Sequence, residues 1–316
     1  MVSASNQRAI CVMGPTGVGK TALALELAQR LPVAIISVDS AMVYRGMNIG
    51  TAKPNSKILA EIPHRLVDIC DPTEVYSAAR FRNDCLQEME HAFRQGLIPL
   101  LVGGTGMYFR ALEVGLSRLP EADQALREHL AEEAAVYGWA GLHARLAQMD
   151  PCAADRIHPN DPQRIQRALE VYELSGKTLT QWCAEPSRQA CPYSLTKIVL
   201  APEDRGTLYA GLEPRFLRML ERGLLDEVRA LQERGSLQKS HPAARIVGYR
   251  EVLAFFDRAL DYDSMKEQAI LSTRRLAKRQ ITWCRAERGA LWIAAEDPGV
   301  LARVLNYVNK SPTLLV

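Results

Sequence analysis

Gly14-Pro15-Thr16-Gly17-Val18-Gly19-Lys20-Thr21 is the stretch that decides the fold. Ahead of it, Ala9-Ile10-Cys11-Val12-Met13 is an apolar run of strand length. Behind it, Thr21 to Leu31 reads as a helix that Pro32 ends. The stretch itself matches G-x-x-x-x-G-K-[ST] in the strand-to-helix setting that a phosphate loop requires. The glycines let backbone N–H groups turn inward around phosphate oxygens, and the helix N-terminus adds its partial positive charge. Lys20 supplies a full charge, and the Thr21 hydroxyl suits Mg²⁺. Gly14, Thr16, Gly17, Val18, Gly19, Lys20 and Thr21 are therefore the candidate residues for binding a diphosphate or triphosphate.

The pattern continues outward from this loop. Val33–Val38 reads as a second buried strand. Leu66–Cys70 reads as a third, stopped by Asp71-Pro72. Ser77 is placed to cap a helix from Ala78 to about Arg94. Pro99–Val102 reads as a fourth strand, ending in Gly103-Gly104-Thr105-Gly106. Strands alternating with helices predict an α/β fold with a parallel sheet covered on both faces. Strand signals then vanish. Gln124–Ala135, Ala140–Gln148 and Pro162–Ser175 have helical periods, so residues 119–195 read as a helical insertion domain. A strand returns at Lys197–Leu200, and helices follow at Leu212–Arg234, Gly248–Ala259 and Met265–Glu287. The expected architecture is a P-loop NTPase-like core, 1–118 and 196–316, carrying the insertion and C-terminal helices.

The 316 residues are 47% hydrophobic and 24% charged, as in a soluble globular chain with a real core. Lys+Arg is 39 and Asp+Glu 36, so the net charge of +3 excludes a basic polyanion coat but leaves room for a local basic groove. Aromatics at 6% argue against a surface of stacked platforms. The 7 cysteines are scattered with no C-x-x-C pair, which indicates neither a disulfide scaffold nor a zinc site. No apolar leader precedes the first strand, and no run reaches membrane-spanning length. A cytoplasmic chain without membrane contact is expected.

A phosphate loop does not say what hangs from the phosphate. An ATPase strand ending in an acid is missing, because Pro99–Val102 runs into glycines. Asp39 is the carboxylate that closes a strand, at the sheet edge where open α/β sheets bind ligands. From position alone it fits a general base, a metal ligand through water, or a cap of the next turn. The segment Ser40–Pro54 mixes apolar, aromatic and basic residues, and Arg45 and Lys53 fall near the phosphate site in sequence.

SVDS at 37–40, YRGMNIGTAKP at 44–54, HRLVDICDP at 64–72 and LVGGTGMYFRAL at 101–112 join the loop in a resemblance. So do RIHPNDPQRIQRALEVYELSGKTLT at 156–180, VGYRE at 247–251 and RRLAKRQITW at 274–283. Together they resemble the tRNA dimethylallyltransferase (tRNA isopentenyltransferase) family of bacterial type, over nearly the whole chain. The resemblance implies transfer of a dimethylallyl group from dimethylallyl diphosphate to N6 of adenosine 37 in tRNA, with Mg²⁺ as cofactor. It implies Asp39 as the base, and Thr105 and Arg215 at the reacting diphosphate. It implies tRNA contacts at Asp39, Ser40, Ala41, Met42, Thr105, Arg127 and the string Gln163-Arg164-Ile165-Gln166-Arg167, on the anticodon stem-loop. It also suggests a monomer.

Charge distribution bears on this independently. Residues 121–195 hold seven Lys+Arg against eleven Asp+Glu, so the insertion is no generic basic module. Beyond it, Arg274, Arg275, Lys278 and Arg279 open a basic helix face suited to a phosphate backbone. Two other readings compete: a P-loop kinase or nucleotide-dependent enzyme on a small molecule, and a non-catalytic RNA binder. Asp39 disfavours the binder, which needs no carboxylate facing phosphates.

Overall fold

In β1 (Arg8–Met13) successive side chains go to opposite sides of the sheet. Ala9, Cys11 and Met13 enter one hydrophobic cluster, Ile10 and Val12 another. The same split holds for β2 (Val33–Val38), where Ile36 and Val38 face one cluster and Ile35 the other. Both faces are buried, as a parallel sheet covered by helices requires. In the computed structural model, residues 7–117, 119–185 and 190–310 are described. Residues 1–6, read above for the lack of an apolar leader, lie outside the described residues.

The remaining strands are β3 (His64–Arg65), β4 (Ile98–Gly103), β5 (Ser194–Ala201) and β6 (Leu291–Ala294). The six pair in parallel in the order β3-β2-β4-β1-β5-β6. Helix α1 (Lys20–Ala28) covers the face of Ile10 and Val12, through Leu23, Ala24 and Leu27. Next come α2 (Ser56–Glu61) and α3 (Ala78–Arg94); in α3 Ser77 caps as expected, accepting from the Arg80 N–H at 3.1 Å. A further helix, α4 (Gly106–Val114), follows β4.

Register explains how the loops meet. Gly103 lies across from Met13 on one side and Val38 on the other. The loops beginning at Gly14, Asp39 and Gly104 therefore leave the sheet from one row. A Cβ at Gly103 would sit 2.0 Å from the Val38 carbonyl oxygen, and one at Gly104 2.4 Å from Gln280 Nε2. The strand end where an ATPase carries an acid has no room for a side chain. Gly103→Ala is expected to lower stability by about 2–4 kcal/mol, as overpacking against backbone does. Thermal unfolding of the variant checks this.

The third strand differs from expectation. Leu66 and Asp68 have φ of 61° and 56°, which no strand accommodates. The strand is therefore the two residues before them, and Cys70 keeps an isolated bridge to Tyr44.

Two compact units are present: Met1–Glu113 with Cys191–Val316, and Val114–Ala190. The return to the sheet core begins ahead of the expected residue 196, because β5 starts at Ser194. In the smaller unit α5 (Gln124–Met149) bends at Gly138, whose φ of 72° and ψ of 160° separate the two helices anticipated there. It is followed by α6 (Pro151–Ala154), α7 (Pro162–Ser175) and α8 (Leu179–Ala184). Leu130, Leu142, Leu146, Ile165 and Leu169 form that unit's own core.

After β5, α9 (Arg205–Glu221) starts earlier than expected because Asp204 caps it, accepting from Thr207 N–H. Gly223, at φ 92°, separates it from α10 (Leu224–Glu233). Helices α11 (Tyr249–Phe256) and α12 (Tyr262–Cys284) follow, and their Tyr249, Val252, Met265 and Ala269 join the cluster of Ala9, Cys11 and Met13. β6 and α13 (Val300–Asn309) were not anticipated. No helix among the described residues is long and apolar enough to cross a membrane.

Candidate active site

Two adjoining cavities open at the row of loop starts. The smaller, about 260 Å³, is lined by Thr16, Gly17, Gly19, Lys20 and Thr21, with Ser37, Asp39, Ala52, His64 and Arg215. The larger, about 400 Å³, has apolar walls from Phe216, Met219 and Leu276 and polar ones from Asp39, Thr105, Arg245 and Arg279. Thr16, Asp39, Thr51, Arg215 and Gln280 line both. Among the sequence-predicted catalytic set, Asp39 and Arg215 lie at this junction, and Thr105 lies in the larger cavity.

The smaller cavity is built around cations. Lys20 Nζ donates to the Pro15 carbonyl at 2.7 Å. Burial pushes its pKa down to about 8, Asp39 pulling it back up and Arg215 lowering it further. Burial likewise lowers the Arg215 guanidinium, against the attraction of Asp39. Two desolvated cations share one carboxylate. An anionic ligand restores the balance, since buried charge is costly until paired.

Asp39 has one oxygen committed. Oδ1 accepts from the N–H groups of Ala41 at 2.8 Å and Met42 at 3.3 Å, an Asx turn. The capping role read from sequence is thus real; it uses Oδ1 alone, and Asp39 lines both cavities. Thr105 Oγ1 accepts from Ser40 N–H at 3.1 Å. Ser40 is exposed, Met42 lines the smaller cavity, and Ala41 lines the larger.

Sequence reasoning missed Gln280. From α12 its Oε1 accepts the Thr16 N–H at 2.8 Å, and its Nε2 donates to Gly104 O at 3.0 Å. One side chain ties the phosphate loop to the glycine turn. Its place inside RRLAKRQITW was a signal, but nothing in the string separates it from its basic neighbours. His64 was also missed. Its Nδ1 bonds Ile62 O at 2.7 Å, and its buried Nε2 has no hydrogen-bond partner among the described residues.

Arg45 and Lys53 do not join the phosphate site, contrary to their proximity in sequence. Arg45 donates to Ile69 O at 3.0 Å. Lys53 is buried, donating to the Tyr44 carbonyl and pairing with Asp68. Both brace the loop against residues 66–70, a use that one-dimensional spacing hides.

On α12, Arg275, Lys278 and Arg279 are exposed. Arg274 is half-buried and pairs with Glu213 at 3.5 Å. In the smaller unit Gln163 and Arg164 are exposed. Ile165 is fully buried in that unit's core, so its side chain is not offered to RNA: the helix turns it inward. Gln166 donates to Arg127 O at 2.8 Å. Arg127 and Arg167 both bind Glu170, whose side chain is 0% exposed. Burial raises the Glu170 pKa, but its bonds to Arg127 and Arg167 outweigh that and lower it. This stabilisation is full above the ordinary carboxylate range and fades as pH falls through the lowered value. Glu170→Ala should cost the smaller unit about 2–3 kcal/mol, less than a fully buried pair because both arginines reach water. Chemical denaturation checks it.

Fold and site define a P-loop α/β enzyme whose loop lines a cationic cavity beside a carboxylate. A family model described as IPP transferase matches residues 42–287, and one described as isopentenyl transferase matches residues 7–69. The chain belongs to this family. It is similar to a tRNA dimethylallyltransferase of Alkalilimnicola ehrlichii, 56% identical over 94% of this chain and 95% of the relative. Among solved structures, the full-length tRNA isopentenylpyrophosphate transferase of Bacillus halodurans is 33% identical, with a TM-score of 0.71 over 97% of this chain and 96% of that one. A eukaryotic dimethylallyltransferase acting on tRNA is 27% identical, with a TM-score of 0.78 over 96% of this chain and 78% of that one.

Proposed function

We propose that this protein transfers the dimethylallyl group of dimethylallyl diphosphate to N6 of adenosine 37 in tRNA, releasing diphosphate. The observation that carries the reading is the junction: a carboxylate shared by a cationic phosphate cavity and a larger, partly apolar one. The allylic carbon bonded to the diphosphate must sit at that junction, with adenine arriving from the larger side. N6 is a weak nucleophile because its lone pair is delocalised into the ring. Asp39 takes the N6 proton as the C–N bond forms and the allylic C–O bond breaks. The electron pair leaves on diphosphate, where Lys20, Arg215 and the loop amides stabilise it. Thr105 orients the amine or the bridging oxygen.

The target base lies in an anticodon arm and must be swung out of its stack to reach the larger cavity. Arg275, Lys278 and Arg279 are suited to the RNA backbone. Arg164 and Gln163 are the exposed positions of the insertion string, and Arg127 and Arg167 hold its helix in place. A kinase reading is disfavoured by the strand end at Gly103, which holds no acid.

Mg²⁺ fits the donor set. Thr21 supplies one hard oxygen, and among the described residues no cluster of three His, Cys, Asp or Glu competes for the ion. The remaining ligands would be diphosphate oxygens and water, as Mg²⁺ prefers. When bound, the ion neutralises charge on the leaving diphosphate. The cysteines are free thiols, which supports a reducing, cytosolic setting.

Radiolabelled dimethylallyl diphosphate offered to tRNA with and without adenosine 37 tests the activity. Label must pass to the first tRNA and not to the second. ATP hydrolysis at enzyme-like rates in place of transfer would sink the proposal.

A further inference from the structure

The carboxylate of Glu227 takes no part in either cavity lining, yet it gathers four donors. Its Oε2 accepts the N–H groups of Asn48 at 2.9 Å and Ile49 at 2.8 Å. Its Oε1 accepts the Gly50 N–H at 3.3 Å and the Tyr249 hydroxyl at 2.5 Å. Three consecutive amides converging on one anion form a nest, the arrangement that elsewhere binds a phosphate or a carboxylate. Here the occupant is the chain's own carboxylate, fixed on the first turn of α10.

The nest leaves the loop little freedom. The Tyr249 ring, fully buried, lies so close that a Cβ on Gly50 would come within 2.5 Å of it. Thr51 donates to Met47 O at 2.6 Å. Lys53 donates to Asn48 Oδ1 at 3.3 Å. Immediately after the nest, Thr51 lines both cavities, and Ala52 and Pro54 line the smaller. The wall so held is therefore at the junction where the activity proposed above places the allylic carbon.

We infer that Glu227 is a positioning residue that sets the wall against which the prenyl chain lies, and so the chain length the site accepts. It acts through the backbone of residues 48–52 and touches no substrate. The inference rests on the proposed prenyl transfer. Glu227→Gln keeps the shape but sets amide donors against a nest of donors. It is expected to raise KM for dimethylallyl diphosphate about 10-fold while changing kcat less than about 3-fold. Affinity for tRNA should be unchanged. The preference for dimethylallyl over geranyl diphosphate, read as the ratio of kcat/KM values, should fall at least about 5-fold. Glu227→Asp restores the charge and should recover part of that ratio.

Wild-type protein is assayed first. If it transfers neither prenyl group, the activity itself is refuted. If it transfers and Glu227→Gln loses both substrates in equal proportion, the role is structural and the inference fails. An unchanged ratio has the same meaning. Should Glu227→Gln not fold, Tyr249→Phe removes one donor and keeps the ring against Gly50. It should shift the ratio in the same direction by about 2-fold, and no shift overturns the inference.

Discussion

Asp39→Asn is expected to cut prenyl transfer by about 10²–10⁴-fold while leaving tRNA affinity within about twofold, the loss typical of a removed general base. Asparagine is the informative replacement. Its Oδ1 still accepts from Ala41 and Met42 N–H, so the turn after β2 survives. What disappears is the basic oxygen and the negative charge. Alanine would remove the turn as well and confuse the two effects. A second consequence separates the variants from simple damage: the attraction of Asp39 supports the protonated form of Lys20. Without it the lysine should lose its proton at lower pH, so diphosphate binding should weaken near neutral pH in Asp39→Asn. Single-turnover transfer and equilibrium binding of the two substrates measure these terms apart. Retention of most of the transfer rate would remove Asp39 from the role of base.

The elements nearest the phosphate loop were legible because their signals are local. Val33–Val38 and Ala78–Arg94 occupy the spans expected of them, one a run of apolar β-branched residues, the other a periodic helix behind a serine cap. Leu66–Cys70 misled because its residues are nearly as apolar as a strand, while Leu66 and Asp68 turn to positive φ and the Asp68 side chain pairs with the buried Lys53, neither of which spacing reports. β6 was missed because four residues after a long basic helix carry too short a pattern, and its neighbour β5 is distant in sequence. The site divides the same way. Gly14–Thr21 and Asp39 follow from loop geometry. Gln280 and Glu227 act on backbone groups more than 170 residues away, and no spacing rule reports such a bond.

Lys20→Ala is expected to lower kcat/KM for dimethylallyl diphosphate by about 10²–10³-fold, the scale for truncating one partner of a buried charge pair. Its pH signature distinguishes this from loss of a neutral contact. Of the two forms of Lys20 only the ammonium attracts diphosphate, and in the free enzyme burial brings its pKa to about 8. Wild-type kcat/KM should therefore fall as pH rises through about 8, whereas kcat should stay level, because bound diphosphate stabilises the ammonium. Folding stability moves the other way. Between about 8 and the ordinary lysine value of 10.5 the unfolded chain binds more protons than the folded one, so this group's contribution to stability rises with pH across that window. Weaker ligand binding alongside firmer apo folding cannot come from general alkaline damage, which lowers both. Lys20→Arg tests the same point, since a guanidinium does not titrate there. Its activity will be reduced by poor fit, but its alkaline limb should vanish. A wild-type kcat/KM that stays flat to about pH 9.5 would show that Lys20 is not the cation that receives the diphosphate.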